Sequence, residues 1–184
     1  VMSLKEKVGQ LLMYGFKGTE VNDELKKYIK NYKIGGLILF STNMENPFQA
    51  ATLCNNINKL NKDGIPLFIA TDQEGGEVVR IRKDVTILPG NMALGATGSS
   101  SLAYYGGKIT GEELATLGIN MNLAPVLDIN SNPENPVIGI RSYGSVSKLV
   151  ARQGYWFIKG LQSSNIISTA KHFPGHGDTI KDSH

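Results

Sequence analysis

LFIATDQ, residues 67–73, sets five apolar or small side chains in a row and closes on an acid and an amide. It has no polar/apolar alternation, so it reads as a strand buried on both faces, the kind found in parallel sheets covered by helices. Upstream, Asn46-Pro47 supplies a helix cap followed by Pro at the first helical position. Ala50, Leu53, Cys54, Ile57 and Leu60 then form one stripe, and Asp63-Gly64 stops the helix. Before that comes a second apolar strand, LILF (37–40), preceded by VNDELKKYIKNYK (21–33). Here Val21, Leu25, Tyr28, Ile29 and Tyr32 share a helical face. Asn22 caps the start, acids fill the first turn, and lysines lie toward the end, as the helix dipole prefers.

Downstream, a helix over 101–117 leads into INMNLAPVLDI (119–129). Another begins near Ser145 or Ser147, with Val150, Gly154, Phe157 and Leu161 on one face, and runs into IISTAKHF (166–173). Residues 75–100, with the Gly/Ser-rich LGATGSSS, read as an irregular insertion, and nothing signals an antiparallel hairpin. Alternating helices and apolar strands imply a parallel sheet with right-handed crossovers. A doubly wound sheet and a (β/α)₈ barrel both fit. No G-x-G-x-x-G turn or phosphate loop is present to favour a nucleotide fold. Instead the strands end on Asp72, Asp128, Lys171 and His172, and polar groups at the carboxyl ends of parallel strands are the pattern of a barrel active site. The prediction is an α/β chain of TIM (β/α)₈ type. A whole barrel takes roughly 250 residues, so this one is incomplete, with about the first five units.

Composition narrows the function. The 184 residues are 41% hydrophobic and 19% charged, with a net charge of +3 and lysines scattered along helices, which argues against nucleic acid as partner. No apolar run approaches the roughly 18–20 residues of a membrane span. Cys54 is the only cysteine, which excludes an internal disulfide framework. These features suit a cytoplasmic protein; an extracellular one would need a signal segment since removed.

Three stretches could carry chemistry. All three histidines, His172, His176 and His184, lie in the closing KHFPGHGDTIKDSH (171–184). His172 and His176 are spaced like a zinc-binding helical pair, but Pro174 and Gly175 between them forbid a helix interior. One reading is a loop metal site of His172, His176, Asp178 and His184. Another is acid/base work by His184, oriented by Asp182. A third leaves both as solvated loop residues. In TDQEGGEVVRI (71–81), one of the carboxylates of Asp72 and Glu74 could grip hydroxyl groups, as could Arg80, or the two acids could cap a helix or pair with arginines elsewhere. In APVLDINSNPENPVIGIRSYGS (124–145), Arg141 offers a planar fork of donors for vicinal hydroxyls, or pins a long loop. The aromatics Tyr14, Phe16, Phe40, Tyr143 and Trp156 are assigned to the core; only Tyr143 lies in a loop where a sugar ring could meet it.

Together these stretches resemble the β-N-acetylglucosaminidases (NagZ type) of glycoside hydrolase family 3. The likeness rests on DQEGG (72–76) with Arg80 downstream, LAPVLDI (123–129), NPVIGIRSYGS (135–145) and above all KHFPGHGDTIKDSH, in order and spacing from about residue 4 to 184. The resemblance implies that Asp72, Arg80, Arg141, Lys171 and His172 bind the hydroxyls of the terminal sugar. It makes Asp182 and His184 a catalytic dyad on a mobile loop, with His184 as general acid/base, and makes His176 a loop-shaping residue. It implies a retaining hydrolase that removes terminal β-linked N-acetylglucosamine from glycans such as peptidoglycan fragments, without metal or organic cofactor. The family's nucleophile is an Asp on a later strand, so residues 1–184 are expected to be the N-terminal portion of one barrel domain and inactive alone. A sugar-binding fragment, a β-glucosidase and a glycoside phosphorylase are the alternatives. An open barrel edge further predicts completion by later chain or association with another copy.

Overall fold

The protein is described by a computed structural model over residues 1–181. In chain order its strands are β1 (Met13–Gly15), β2 (Gly36–Leu39), β3 (Phe68–Thr71), the short pair β4 (Gln73–Gly75) and β5 (Val78–Val79), β6 (Met121–Asn122) and β7 (Ile167–Ser168). The helices are α1 (Leu4–Gln10), α2 (Asp23–Lys27), α3 (Pro47–Leu60), α4 (Asn91–Thr97), α5 (Ser100–Thr116) and α6 (Ser147–Ser163). β1, β2, β3, β6 and β7 form one sheet in that spatial order, every pairing parallel. A bridge between Val126 and Lys171 carries the last pairing further toward the strand ends. The order never reverses, so the sheet lacks the switch point of a doubly wound fold; each strand adds to the same side, as barrel staves do.

The local signals act as expected at the helix starts. Asn22 accepts the Leu25 amide at 2.8 Å ahead of α2, and Asn46 accepts the Gln49 amide at 2.9 Å ahead of α3. α2 continues as a π-helical turn over Tyr28–Tyr32 and ends at Lys33 in the left-handed region. On the helix-facing side of the sheet Leu37, Leu39 and Ile69 are wholly buried, packed in one core with Leu25, Ile29, Leu53, Ile57, Phe157 and Leu161. α5 and α6 approach so closely that a Cβ on Gly107 would sit 2.1 Å from the Phe157 carbonyl oxygen, and one on Gly160 2.1 Å from that of Tyr104.

Four expectations are corrected. Burial on both faces holds along most of β3, where Ile69, Ala70 and Thr71 are all 0% exposed, but not at Phe68, 45% exposed, or at Ile167 in β7, 42% exposed. An antiparallel hairpin is present, since β4 pairs with β5 directly after β3. Residues 75–100 are not irregular throughout, because they contain the end of that hairpin and α4; LGATGSSS is the end of α4, a left-handed turn at Gly98 and the start of α5. Of the aromatics assigned to the core, Phe16 and Tyr143 belong there, whereas Tyr14, Phe40 and Trp156 are 37–40% exposed. Tyr143 is 1% exposed, too deep to meet a sugar, and burial pushes its phenol well above the ordinary range. The sequence reading also left α1 and β1 unassigned. α1 is set by a capping box in which Ser3 and Glu6 satisfy each other's backbone amides.

Candidate active site

The site is built where β3 ends. Asp72 and Glu74 lie two residues apart in extended chain, on the same side. Asn122, at the end of β6, holds that chain by accepting the Gln73 amide at 3.0 Å and donating to the Gln73 carbonyl at 3.0 Å. The chain then turns back through Gly75 and Gly76 at φ 93° and 59°, where a side chain would be strained. The Gln73 side chain fastens the return: its Oε1 accepts the amides of Arg80 at 3.0 Å and Ile81 at 3.3 Å. Arg80 is thereby brought back beside Asp72, with Nη2 3.1 Å from Oδ2.

Two other segments complete the group. Lys171, at the bridge beyond β7, places Nζ 2.8 Å from Asp72 Oδ1 and 2.6 Å from Glu74 Oε1. Arg141, in the loop after β6, meets Glu74 with both arms of its fork, Nε to Oε2 and Nη2 to Oε1, each at 2.9 Å. The result is an alternating chain, Arg80–Asp72–Lys171–Glu74–Arg141. Beside it His172 Nδ1 lies 2.6 Å from Asp128 Oδ2. The sequence-predicted residues Asp72, Arg80, Arg141, Lys171 and His172 therefore share one end of the sheet. Lys171 and His172 also line, with Asp128 and Phe173, a depression of about 220 Å³.

The electrostatics follow from burial. Side chains of Asp72, Glu74, Lys171 and Arg141 are only 13%, 2%, 14% and 15% exposed, so each charge depends on its partner. Burial by itself would push the Asp72 carboxyl up; the hydrogen bond and charge of Lys171, and then of Arg80, outweigh it and hold Asp72 below its ordinary value. For Arg141, burial acts to lower the pKa, but the bond to and charge of Glu74 overcome it and hold the guanidinium charged. The group can offer donors and acceptors fixed in place to a ring of hydroxyls, with no side-chain ordering left to do on binding.

The closing loop is anchored at its base. Asp128, wholly buried in its side chain, also accepts the His176 amide at 2.7 Å. Asn135 donates to the His176 carbonyl at 2.7 Å, and His176 Nδ1 lies 2.6 Å from Thr179 Oγ1. His176 is thus part of the knot that starts the loop. Asp182 and His184, the predicted acid/base dyad, lie outside the described residues. Among those residues no group of three or more His, Cys, Asp or Glu side chains is placed to hold a metal ion.

This geometry can be set beside known proteins. The model of the glycosyl hydrolase family 3 N terminal domain matches residues 3–184. The chain belongs to glycoside hydrolase family 3. It is 44% identical over 173 residues to beta-hexosaminidase A of Pseudoalteromonas piscicida, covering 90% of this chain and 29% of that protein. With the beta-hexosaminidase of Photobacterium profundum it shares 37% identity, covering 94% of this chain and 51% of the relative. The chain thus spans about half or less of the length of these curated relatives. Among solved structures, a family 3 beta-N-acetylglucosaminidase from Paenibacillus sp. str. FPU-7 superposes with a TM-score of 0.97 at 51% identity, over 100% of this chain and 35% of that one. NagZ from Neisseria gonorrhoeae, in complex with N-trifluoroacetyl-D-glucosamine, gives 0.85 at 36% identity over 94% of this chain and 52% of that one.

Three members of this strand-end group are not selected by the sequence reading. Glu74 is not among the residues the sequence singles out, although it is the piece that ties Lys171 to Arg141. Asp128 was noted as a strand-end acid, not as the anchor of His172 and His176. Gln73 stands inside DQEGG, but nothing in the sequence points to its role in fastening Arg80. For Glu74 the usable signal was its spacing of two from Asp72 in extended chain, which puts both acids on one side.

Proposed function

We propose that residues 1–184 are the N-terminal portion of one family 3 barrel domain and form the sugar-gripping part of a retaining β-N-acetylglucosaminidase. The observation that carries this is the alternating chain Arg80–Asp72–Lys171–Glu74–Arg141 at the carboxyl ends of the strands, in a member of this family. Asp72, Arg80, Arg141, Lys171 and His172 bind hydroxyls of the terminal N-acetylglucosamine. An Asp from a later strand attacks the anomeric carbon and forms the glycosyl-enzyme while His184, held by Asp182, gives its proton to the leaving oxygen. Neutral His184 then takes a proton from water, which releases the sugar and restores the carboxylate. Imidazole, with an unperturbed pKa of about 6.5, serves both steps near neutrality. The substrate class is N-acetylglucosamine-containing glycan, including peptidoglycan fragments, and the compartment we assign is the cytoplasm. No helix among the described residues is long and apolar enough to cross a membrane.

The test uses a chromogenic β-N-acetylglucosaminide. The full-length protein turns it over, His184→Ala lowers kcat by roughly 10²–10⁴, and residues 1–184 alone give no turnover. Turnover by residues 1–184, or a His184→Ala protein of full activity, overturns the reading.

A further inference from the structure

The outward side of α5 and α6 carries a separate group of side chains. Tyr105 is 56% exposed, Tyr155 53% and Trp156 39%, with half-buried Tyr104 between them. The rings meet edge to face: Tyr155–Trp156 at 5.2 Å between centroids, Tyr104–Tyr105 at 5.6 Å and Tyr104–Trp156 at 6.5 Å. With Ser100 and Ser101, three of them wall a depression of about 230 Å³. On α6, Lys148, Arg152 and Lys159 are exposed and share an outward line with Tyr155, opposite the buried Val150, Phe157 and Leu161. Lys159 Nζ stands 5.8 Å from the centre of the Tyr155 ring. No Asp or Glu occurs in α6, so these cations are unbalanced on their own helix. The neighbouring Lys108 on α5, by contrast, is paired with Glu112 at 3.7 Å.

Exposed Tyr and Trp rings supply rigid, amphipathic contact area at little entropic cost. The C–H faces of a pyranose pack on such rings, its hydroxyls meet Ser and Tyr oxygens, and carboxylates on the same polymer meet the line of cations. We propose that this face is an accessory binding site for an anionic glycan, a polymer whose sugar rings carry carboxylates. A second copy of the chain fits less well, because a two-fold contact would set the cation line against itself. Nucleic acid also fits less well, since edge-to-face rings leave no parallel slot for a planar base and the whole chain carries only +3. The site shares no residue with the strand-end group, so it stands or falls separately from the proposed hydrolysis.

Trp156 is the only tryptophan of residues 1–184, so the emission of this chain reports this face directly. Titration of the chain with a hyaluronan decasaccharide is expected to give a saturable change in that emission, with affinity falling as salt is raised. Tyr105→Ala, and Lys148→Gln combined with Lys159→Gln, each weaken binding by about tenfold or more; both replace exposed side chains, and far-UV circular dichroism checks that the fold is kept. Neutral chitohexaose binds at least about tenfold more weakly than hyaluronan, because it cannot use the cations. The proposal is overturned by no emission change, by an equal response to chitohexaose, by tighter binding of a single-stranded oligonucleotide, or by sedimentation showing self-association that Tyr105→Ala abolishes.

Discussion

The helix-facing side of the sheet and the carboxyl ends of its strands are both withdrawn from water, by opposite means. Under the helices, Leu37, Leu39 and Ile69 are covered by other apolar side chains, and non-directional packing does the work. At the strand ends, Asp72 and Glu74 are covered by Lys171, Arg80 and Arg141, and directional pairing does it. The difference lies in how each fails. An apolar core loses stability in proportion to the volume removed. A buried charge network fails abruptly, because taking out one member leaves its partners charged, buried and short of compensation. The site end is therefore the more brittle half, and it is the half to which we assign sugar binding.

Removing the shared cation breaks that contrast most sharply. Lys171→Met strips a partner from both Asp72 and Glu74 and should destabilise the chain by about 3–5 kcal/mol, read from urea denaturation. A loss below about 1 kcal/mol would mean that the network is not electrostatically closed. On the apolar side, Leu37→Ala should cost about 3 kcal/mol, mid-range for a buried leucine, by the same measurement.

Acid separates the two regions without mutation. The folded pKa of Asp72 lies below its ordinary value of 3.8, so its pairing contributes stability above that pH and loses it as pH falls through the folded value. Urea midpoints measured from pH 7 down to pH 3 should fall at the acid end in the parent chain and fall less in Lys171→Met. Smallest is the effect at the start of β3: Phe68→Ser, at a position 45% exposed, should cost about 1 kcal/mol by the same measurement, well below Leu37→Ala.

Much of the frame was legible in the chain. The α3 and α6 stripes could be read because period 3.6 is a local property, and Asn22 and Asn46 cap their helices through contacts three residues away. The hairpin after β3 escaped because β4 and β5 are three and two residues long, too short to show a pattern, and are closed by the side chain of Gln73. The sequence reading places Trp156 in the core as an aromatic. Its place between outward Tyr155 and buried Phe157 was a truer guide than its hydrophobicity. Within the site, Asp72 could be chosen as a strand-end acid, whereas Glu74 gains its meaning only from Arg141, 67 residues on.

From its residues alone this chain declared parallel strands, covering helices and chemistry at the strand ends, because burial periodicity and turn residues act over a few positions. Tertiary structure alone decided that the strand order never reverses and that Lys171 reaches back 99 residues to Asp72. Register and charge pairing are long-range properties: they depend on which distant segments meet, and no local pattern encodes that meeting.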